Sequence, residues 1–278
     1  MNKKAYLLFL SLLALLASCT KDKMPELPVI MASYMHIAHT RTNSNPAMDS
    51  TVENLDYSKF DMLWLGGDLA HLTSEDDHTM SHVDSIFDIG NKNTLWALGN
   101  HDYSDLDKIE EFTNRAPYYT YHKNGITFLV LDTQDSLSSI VGWQKELFDS
   151  VIDTIQESSH LVILHHKLIW MYNNPSLESQ IGSVANGGFG GCFFCINPNN
   201  FYTVIYPKLL EVKQRGIEVI CIGGDIGFKV NEFEYSQDGI HFLASGINSG
   251  FSNNKALLFH HDISNKLLTW EFELLTNL

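Results

Sequence analysis

Acids, imidazoles and one carboxamide recur at the ends of apolar runs in this chain: "YMH" at 34–36, "GGDLAH" at 66–71, "GNHD" at 99–102, "LHHK" at 164–167 and "GGDIG" at 223–227. Histidine nitrogen, aspartate oxygen and asparagine carbonyl oxygen make a mixed donor set. Such a set suits manganese, iron or zinc, with magnesium less favoured where several imidazoles take part. Asp68 and Asp225 each follow a Gly-Gly pair, which reads as a buried strand breaking into a tight turn. Two strands that deliver an acid from the same kind of turn point to one shared site. Taken singly these residues are ordinary, because Asn and Asp in glycine-rich turns tolerate the left-handed conformation and bond their own backbone.

Bringing them together requires strands that end side by side. Runs of strand length recur as "LPVIMASYM", "FDMLWLGG", "NTLWALGN", "ITFLVLDT", "HLVILHH", "IEVICIGG", "IHFLASG", "ALLFHHDI" and "LLTWEFEL". Helical patterns separate several of them, at 76–89, 104–114, 142–156 and 201–216. The last stops at Gly216 as a helix C-cap would, and Pro207 marks either a kink or the true start. This order predicts an α/β fold with helices over a sheet buried on both faces. In such a sheet the carboxyl ends of the strands face one crevice, where residues far apart in sequence converge. The Gly-, Asn- and Ser-rich segment 173–200 reads as a lid or rim of that crevice, or as a surface insertion. His78 and His82, four apart on one helical face, read as solvated, and His260 and His261 as strand surface.

The chain has 278 residues, 44% hydrophobic and 18% charged, which fits one large α/β domain. Its formal charge of −15 argues against a nucleic-acid-binding surface, which needs clustered Lys and Arg. A small phosphorylated substrate stays open, since a bound cation reverses the local sign. Lys3 and Lys4 precede the apolar run "AYLLFLSLLALLAS", long enough for export and short for a stable membrane span. It ends in "LASC", which resembles the bacterial lipoprotein processing box and implies cleavage before Cys19 and lipid attachment to that residue; an ordinary signal peptide is the alternative. The chain therefore divides into a signal at 1–18, a tether at 19–27 and one domain at 28–278. The expected location is the cell envelope, facing the periplasm or exterior, with the membrane touched through the anchor alone. In an oxidising envelope Cys192 and Cys195 read as a disulfide, with a redox pair or zinc site as alternatives, and Cys221 as an inert core residue.

In order and spacing the motifs resemble the calcineurin-like metallophosphoesterase superfamily, whose pattern runs DxH, GDxx, GNHD or GNHE, a lone His, then GHxH. The similarity covers roughly residues 28–245, and "GNHD" following "GGD" is its most specific part. The resemblance implies a four-layer α/β/β/α sandwich and a site for one or two divalent ions. It implies that Asp68 bridges two metals and that Asn100 binds the second through its amide oxygen. His165 rather than His166 would be the next ligand, His36 would sit on the first metal, and Asp225 would replace an imidazole on the second. His101 would stabilise phosphate oxygens or protonate the leaving group, as the catalytic residue, with Asp102 orienting its neighbours or capping a helix.

Two motifs depart from the pattern. Tyr34 stands where the Asp of DxH is expected, and "GGDIG" stands for GHxH, with Asp225 and Gly227 at the two His positions. Tyr34, as a phenolate, and His71, three residues after Asp68, are the further candidates for the first metal. The implied activity is hydrolysis of a phosphomonoester or phosphodiester outside the cytoplasm, by a metal-bound hydroxide attacking in line. The alternatives are a non-catalytic relative that binds a ligand or partner, and a hydrolase of some other ester on the same scaffold.

Overall fold

The computed structural model describes residues 29–278; the signal at 1–18, Cys19 and the tether at 19–27 lie outside them. Among the described residues no helix is long and apolar enough to cross a membrane. The strands are β1 (Met31–Ile37), β2 (Met62–Leu65), β3 (Thr94–Trp96), β4 (Tyr119–Lys123), β5 (Ile126–Val130), β6 (His160–His165), β7 (Glu218–Gly223), β8 (Glu232–Gln237), β9 (Ile240–Ser245), β10 (Lys255–Asp262) and β11 (Leu267–Leu274). The α-helices are α1 (Ser50–Glu53), α2 (Asp77–Phe87), α3 (Leu106–Thr113), α4 (Gly142–Thr154), α5 (Ile181–Val184) and α6 (Tyr206–Gln214).

The strands form two mixed sheets, ordered β11-β10-β1-β2-β3 and β4-β5-β6-β7-β9-β8. In the first, β1, β2 and β3 run parallel while β10 and β11 are antiparallel to their neighbours. In the second, β5, β6, β7 and β9 run parallel, with β4 and β8 as antiparallel edges.

Side-chain alternation sorts the apolar residues into three cores. Tyr34 of β1 and Trp64 of β2 share a core with Phe128 of β5, Val162 and Leu164 of β6, and Ile220 and Ile222 of β7, so this core joins the two sheets. The opposite parity of the first sheet, Met35, Ile37, Leu63 and Leu65, packs with Met80, Val83 and Phe87 of α2 and Ile109 of α3. On the second sheet, Leu161 and Ile163 pack with Phe148 and Ile152 of α4 and Leu209 and Val212 of α6. Strands covered on both faces read as unbroken apolar runs, which is why periodicity located them without revealing which residue faces which core. Each fully buried Leu or Ile in these layers contributes about 1.5–3 kcal/mol.

The helical patterns at 76–89, 104–114 and 142–156 correspond to α2, α3 and α4, the first two opened by aspartate caps: Asp76 accepts from the amide of Thr79, and Asp105 from that of Lys108. Pro207 stands in the first turn of α6, after a π-helical turn at Phe201–Ile205, so it marks a start. His261 corrects a surface expectation. It is fully buried, because it shares the parity of Leu257 and Phe259 and pairs with Ala32, facing the core between the sheets. Only His260 turns outward, to Glu271.

Candidate functional site

The crevice forms where the parallel strands of both sheets end. Gly66, directly after β2, and Gly224, directly after β7, meet backbone to backbone there: a Cβ on Gly224 would lie 2.0 Å from the carbonyl oxygen of Gly66. No larger residue fits without parting the sheets. Gly67 (φ 90°) and Asp68 (φ 57°) both take the left-handed conformation, which ends the strand abruptly and turns Asp68 into the crevice. The first glycine of the GNHD stretch is constrained in the same way, since a Cβ on Gly99 would stand 2.2 Å from Oδ1 of Asp68.

Asp102 ties these two loops together. Its carboxylate accepts from the amides of Asp68 (2.7 Å), Leu69 (3.1 Å) and Gly99 (2.8 Å) and from the Thr73 hydroxyl. Burial and then the nearby charge of Asp68 push its pKa up. The amide of His101 donates to Oδ1 of Asp68 at 3.0 Å, and its ring Nδ1 donates to the carbonyl of His71. His71 thus orients His101 through its backbone, and its ring lies 5.6 Å from that of His101.

Three cationic or imidazole groups stand around the Asp68 carboxylate. Nε2 of His166 is 3.6 Å from Oδ1, while Nε2 of His39 and Nε of Arg41 are each 3.9 Å from Oδ2. His166 also reaches to 3.9 Å from Oδ1 of Asp225. Its Nδ1 donates to the carbonyl of Gly66 at 2.7 Å, so in the neutral tautomer Nε2 presents a lone pair between two carboxylates. Burial raises the pKa of Asp68, but His166, His39 and His101 together hold it below the ordinary carboxylate range. Asp225 is pushed up to about 7, by burial first and despite His166. For His166 the opposing effects resolve upward: burial lowers its pKa, and Asp68 and Asp225 raise it further. His39, whose Nδ1 donates to the carbonyl of Ile247, is pulled down to about 4 by burial.

A cavity of about 260 Å³ opens on this cluster, lined by His39, Arg41, Asp68, Asn100, His101, Asn186, Gly187, Phe194, Asp225 and Phe228. The 173–200 segment therefore supplies part of its rim. Cys192 and Cys195 are joined by a disulfide, and the buried Lys167 ammonium donates to the carbonyl of Phe193, anchoring that loop to the end of β6. Cys221 is free and buried, its thiol pushed up by desolvation.

Of the residues the sequence singled out, Asp68, Asn100, His101 and Asp225 line this one cavity. His71 adjoins it beside His101; His36 and His165 do not line it, though Nε2 of each is buried without a hydrogen-bond partner, that of His36 against Gly66. His165 is buried at the end of β6, its Nδ1 donating to the carbonyl of Lys167 and its ring close enough to His36 to add to the burial that lowers that group's pKa, and His166 is the imidazole between the acids. His36 points between the sheets, where its Nδ1 bonds the Ser245 hydroxyl at 2.8 Å across to β9, and it is not an ion-pair partner of Asp68. Tyr34 lies deeper in that core, its hydroxyl bonded to His261 at 2.9 Å and to Asn124 at 3.0 Å, beside the β4–β5 turn and away from the strand ends. Gly227 could not be a larger residue without strain, since its φ is 135° and a Cβ would meet the Ile247 carbonyl oxygen at 2.4 Å.

Sequence reasoning did not name His39 and Arg41, and it ranked His166 below His165. The signal for the first two was positional: like Asp68, Asn100 and Asp225, they follow a strand, whereas Tyr34 and His36 lie within one.

Among the described residues, no group of three or more His, Cys, Asp or Glu side chains stands ready-formed around a metal position. The donor chemistry on one flank of Asp68 still fits a single cation. Nε2 of His166 and Oδ2 of Asp225 are buried with no hydrogen-bond partner. A proton on Nε2 would find neither carboxylate at hydrogen-bonding distance, so the lone pair of the neutral ring and the free oxygen of Asp225 are donors a cation can use. The other flank fits a second cation poorly: His39, like His166, keeps Nε2 free with Nδ1 engaged, but no further carboxylate stands there and Arg41 is itself positive.

No protein-family model matches the chain, and no curated protein matches it. Among solved structures, phosphopantetheinyl hydrolase (PptH) from Mycobacterium tuberculosis is similar at 14% identity and a TM-score of 0.40, over 77% of this chain and 89% of that one.

Proposed function

We propose that this chain is a divergent metallophosphoesterase, a four-layer α/β/β/α domain that hydrolyses a phosphomonoester or phosphodiester outside the cytoplasm with one divalent cation. Lipid attachment at Cys19 would hold it to the envelope membrane. The observation that carries the reading is the pair of buried, unpartnered atoms, Nε2 of His166 and Oδ2 of Asp225, beside Asp68 in an open cavity. Asp68, Asn100, His166 and Asp225 would hold the cation, with manganese, iron or zinc favoured by the donor types. When bound, such an ion lowers the pKa of a coordinated water and neutralises charge on phosphoryl oxygens.

The chain's own groups do the rest. Asp102 fixes the turn that presents Asp68 and the turn that presents Asn100 in one register. The His71 carbonyl holds the Nδ1 proton of His101, which leaves Nε2 as the atom that exchanges a proton with a bound ester. When both ring nitrogens are protonated, Nε2 donates to the departing oxygen.

A second reading, a binding protein without turnover, is favoured by one observation: a guanidinium, itself positive, stands 3.9 Å from Asp68. Purified protein assayed on a chromogenic phosphomonoester and a phosphodiester with added Mn²⁺ separates the two. Hydrolysis abolished by Asp68→Asn and by Asn100→Ala is the expected result. Folded protein with no turnover under any divalent ion leaves the binding reading.

A further inference from the structure

Two side chains that line the cavity, Arg41 and Asn186, have more hydrogen-bonding capacity than the protein uses. Nε of Arg41 is buried and lacks a hydrogen-bond partner; Nη1 donates only to the carbonyl of Thr42, at 3.3 Å. The side chain is 12% exposed. Its guanidinium lies 5.6 Å from the centre of the Phe228 ring, whose edge-on neighbour at 4.4 Å is His39. Nδ2 of Asn186 is likewise buried and unpartnered. Its orientation is set from the other end of the amide, because Oδ1 accepts from the amide of Phe228 at 2.9 Å. His101 lines the same cavity.

A guanidinium presents its N–H groups in a planar fork that matches the oxygens of a phosphoryl group, and it keeps its charge at any working pH. A carboxamide N–H₂ is a neutral donor that adds direction. We propose that Arg41 and Asn186 form the oxyanion-binding half of the site, holding the phosphoryl oxygens of the ester while His166 and Asp225 serve the cation. Arg41 supplies the positive charge that a second ion would otherwise bring beside Asp68. This assignment rests on the proposed function for its substrate class and deepens it, by dividing the cavity into an anion-binding and a cation-binding half.

The division has a consequence that a structural role for Arg41 does not. Removing a cation 3.9 Å from Asp68 weakens anion binding and, by relieving like-charge repulsion, leaves divalent-cation binding unchanged or tighter. The test is calorimetric titration of the purified protein, first with Mn²⁺ and then, at saturating Mn²⁺, with inorganic phosphate. Arg41→Ala is expected to weaken phosphate binding between about 10- and 100-fold without weakening Mn²⁺ binding. Asn186→Ala is expected to weaken it by about 3- to 10-fold. Should Arg41→Ala fail to fold, Arg41→Lys, which keeps the charge and loses the fork, is expected to give an intermediate loss.

Phosphate affinity unchanged in folded Arg41 variants of an enzyme that hydrolyses esters overturns the assignment and leaves the phosphoesterase reading standing. Arg41-dependent phosphate binding by a protein with no turnover upholds the assignment and removes the catalytic reading. A wild-type protein that binds no phosphate at millimolar concentration overturns the assignment outright.

Discussion

On one flank of Asp68 stand His166 and Asp225, buried groups that each keep one side-chain atom, Nε2 and Oδ2, without a partner. On the other stand His39 and Arg41, one engaged with the Ile247 carbonyl and the other seated on the Phe228 ring. The carboxylate between them is common to both. The first flank concentrates negative charge and lone pairs and calls for a cation; the second brings its own cation and calls for an anion. One acid therefore stands between groups of both signs.

The largest effect is expected from the two adjacent histidines at the end of β6. His166→Ala should remove divalent-cation binding and cut hydrolysis by about a hundredfold or more, because it deletes the donor between the acids. His165→Ala should retain cation binding and lose about 1–2 kcal/mol of stability with its bond to the Lys167 carbonyl. Metal analysis beside urea unfolding separates the two, and equal loss of metal in both variants would break the comparison. Gly224→Ala should act on both flanks at once, since its Cβ would press on the Gly66 carbonyl and part the sheets beneath Asp68. A loss of about 1–3 kcal/mol in urea unfolding is expected; unchanged stability would show that the strand ends are looser than described.

The flanks should also titrate in opposite directions in metal-free protein. His39, pulled to about 4 by burial, stays neutral where an unfolded histidine charges, so its contribution to stability is present above about pH 6.5 and is lost as pH falls towards 4. His166 is desolvated too, but Asp68 and Asp225 raise it. Its contribution is complete below about pH 6.5 and is lost as pH rises through the folded value. Each pH unit of displacement corresponds to about 1.4 kcal/mol. Imidazole NMR titration should place His39 near 4 and His166 above 6.5; coincident midpoints would erase the electrical difference between the flanks.

The turns that carry the acids were legible in the sequence because their glycines have no alternative: Gly66, Gly67, Gly99 and Gly224 sit where a Cβ meets backbone or the Asp68 carboxylate itself. The α/β character was legible from apolar runs between helical patterns. What could not be read was facing. In β6 both Val162 and Ile163 are buried, in different cores, so composition does not tell whether His165 or His166 turns towards the crevice. At β1 the motif was sought inside the strand, where "YMH" echoes DxH. The residues that reach Asp68 lie just past it, after His39 takes a left-handed turn (φ 55°) that no apolar pattern announces.

The most direct test of a site divided between one cation and one resident guanidinium is metal stoichiometry in the purified protein, by elemental analysis after Mn²⁺ titration. One ion per chain is predicted, lost in Asp225→Asn and retained in Arg41→Ala. Two ions per chain, or none at all, would contradict the account.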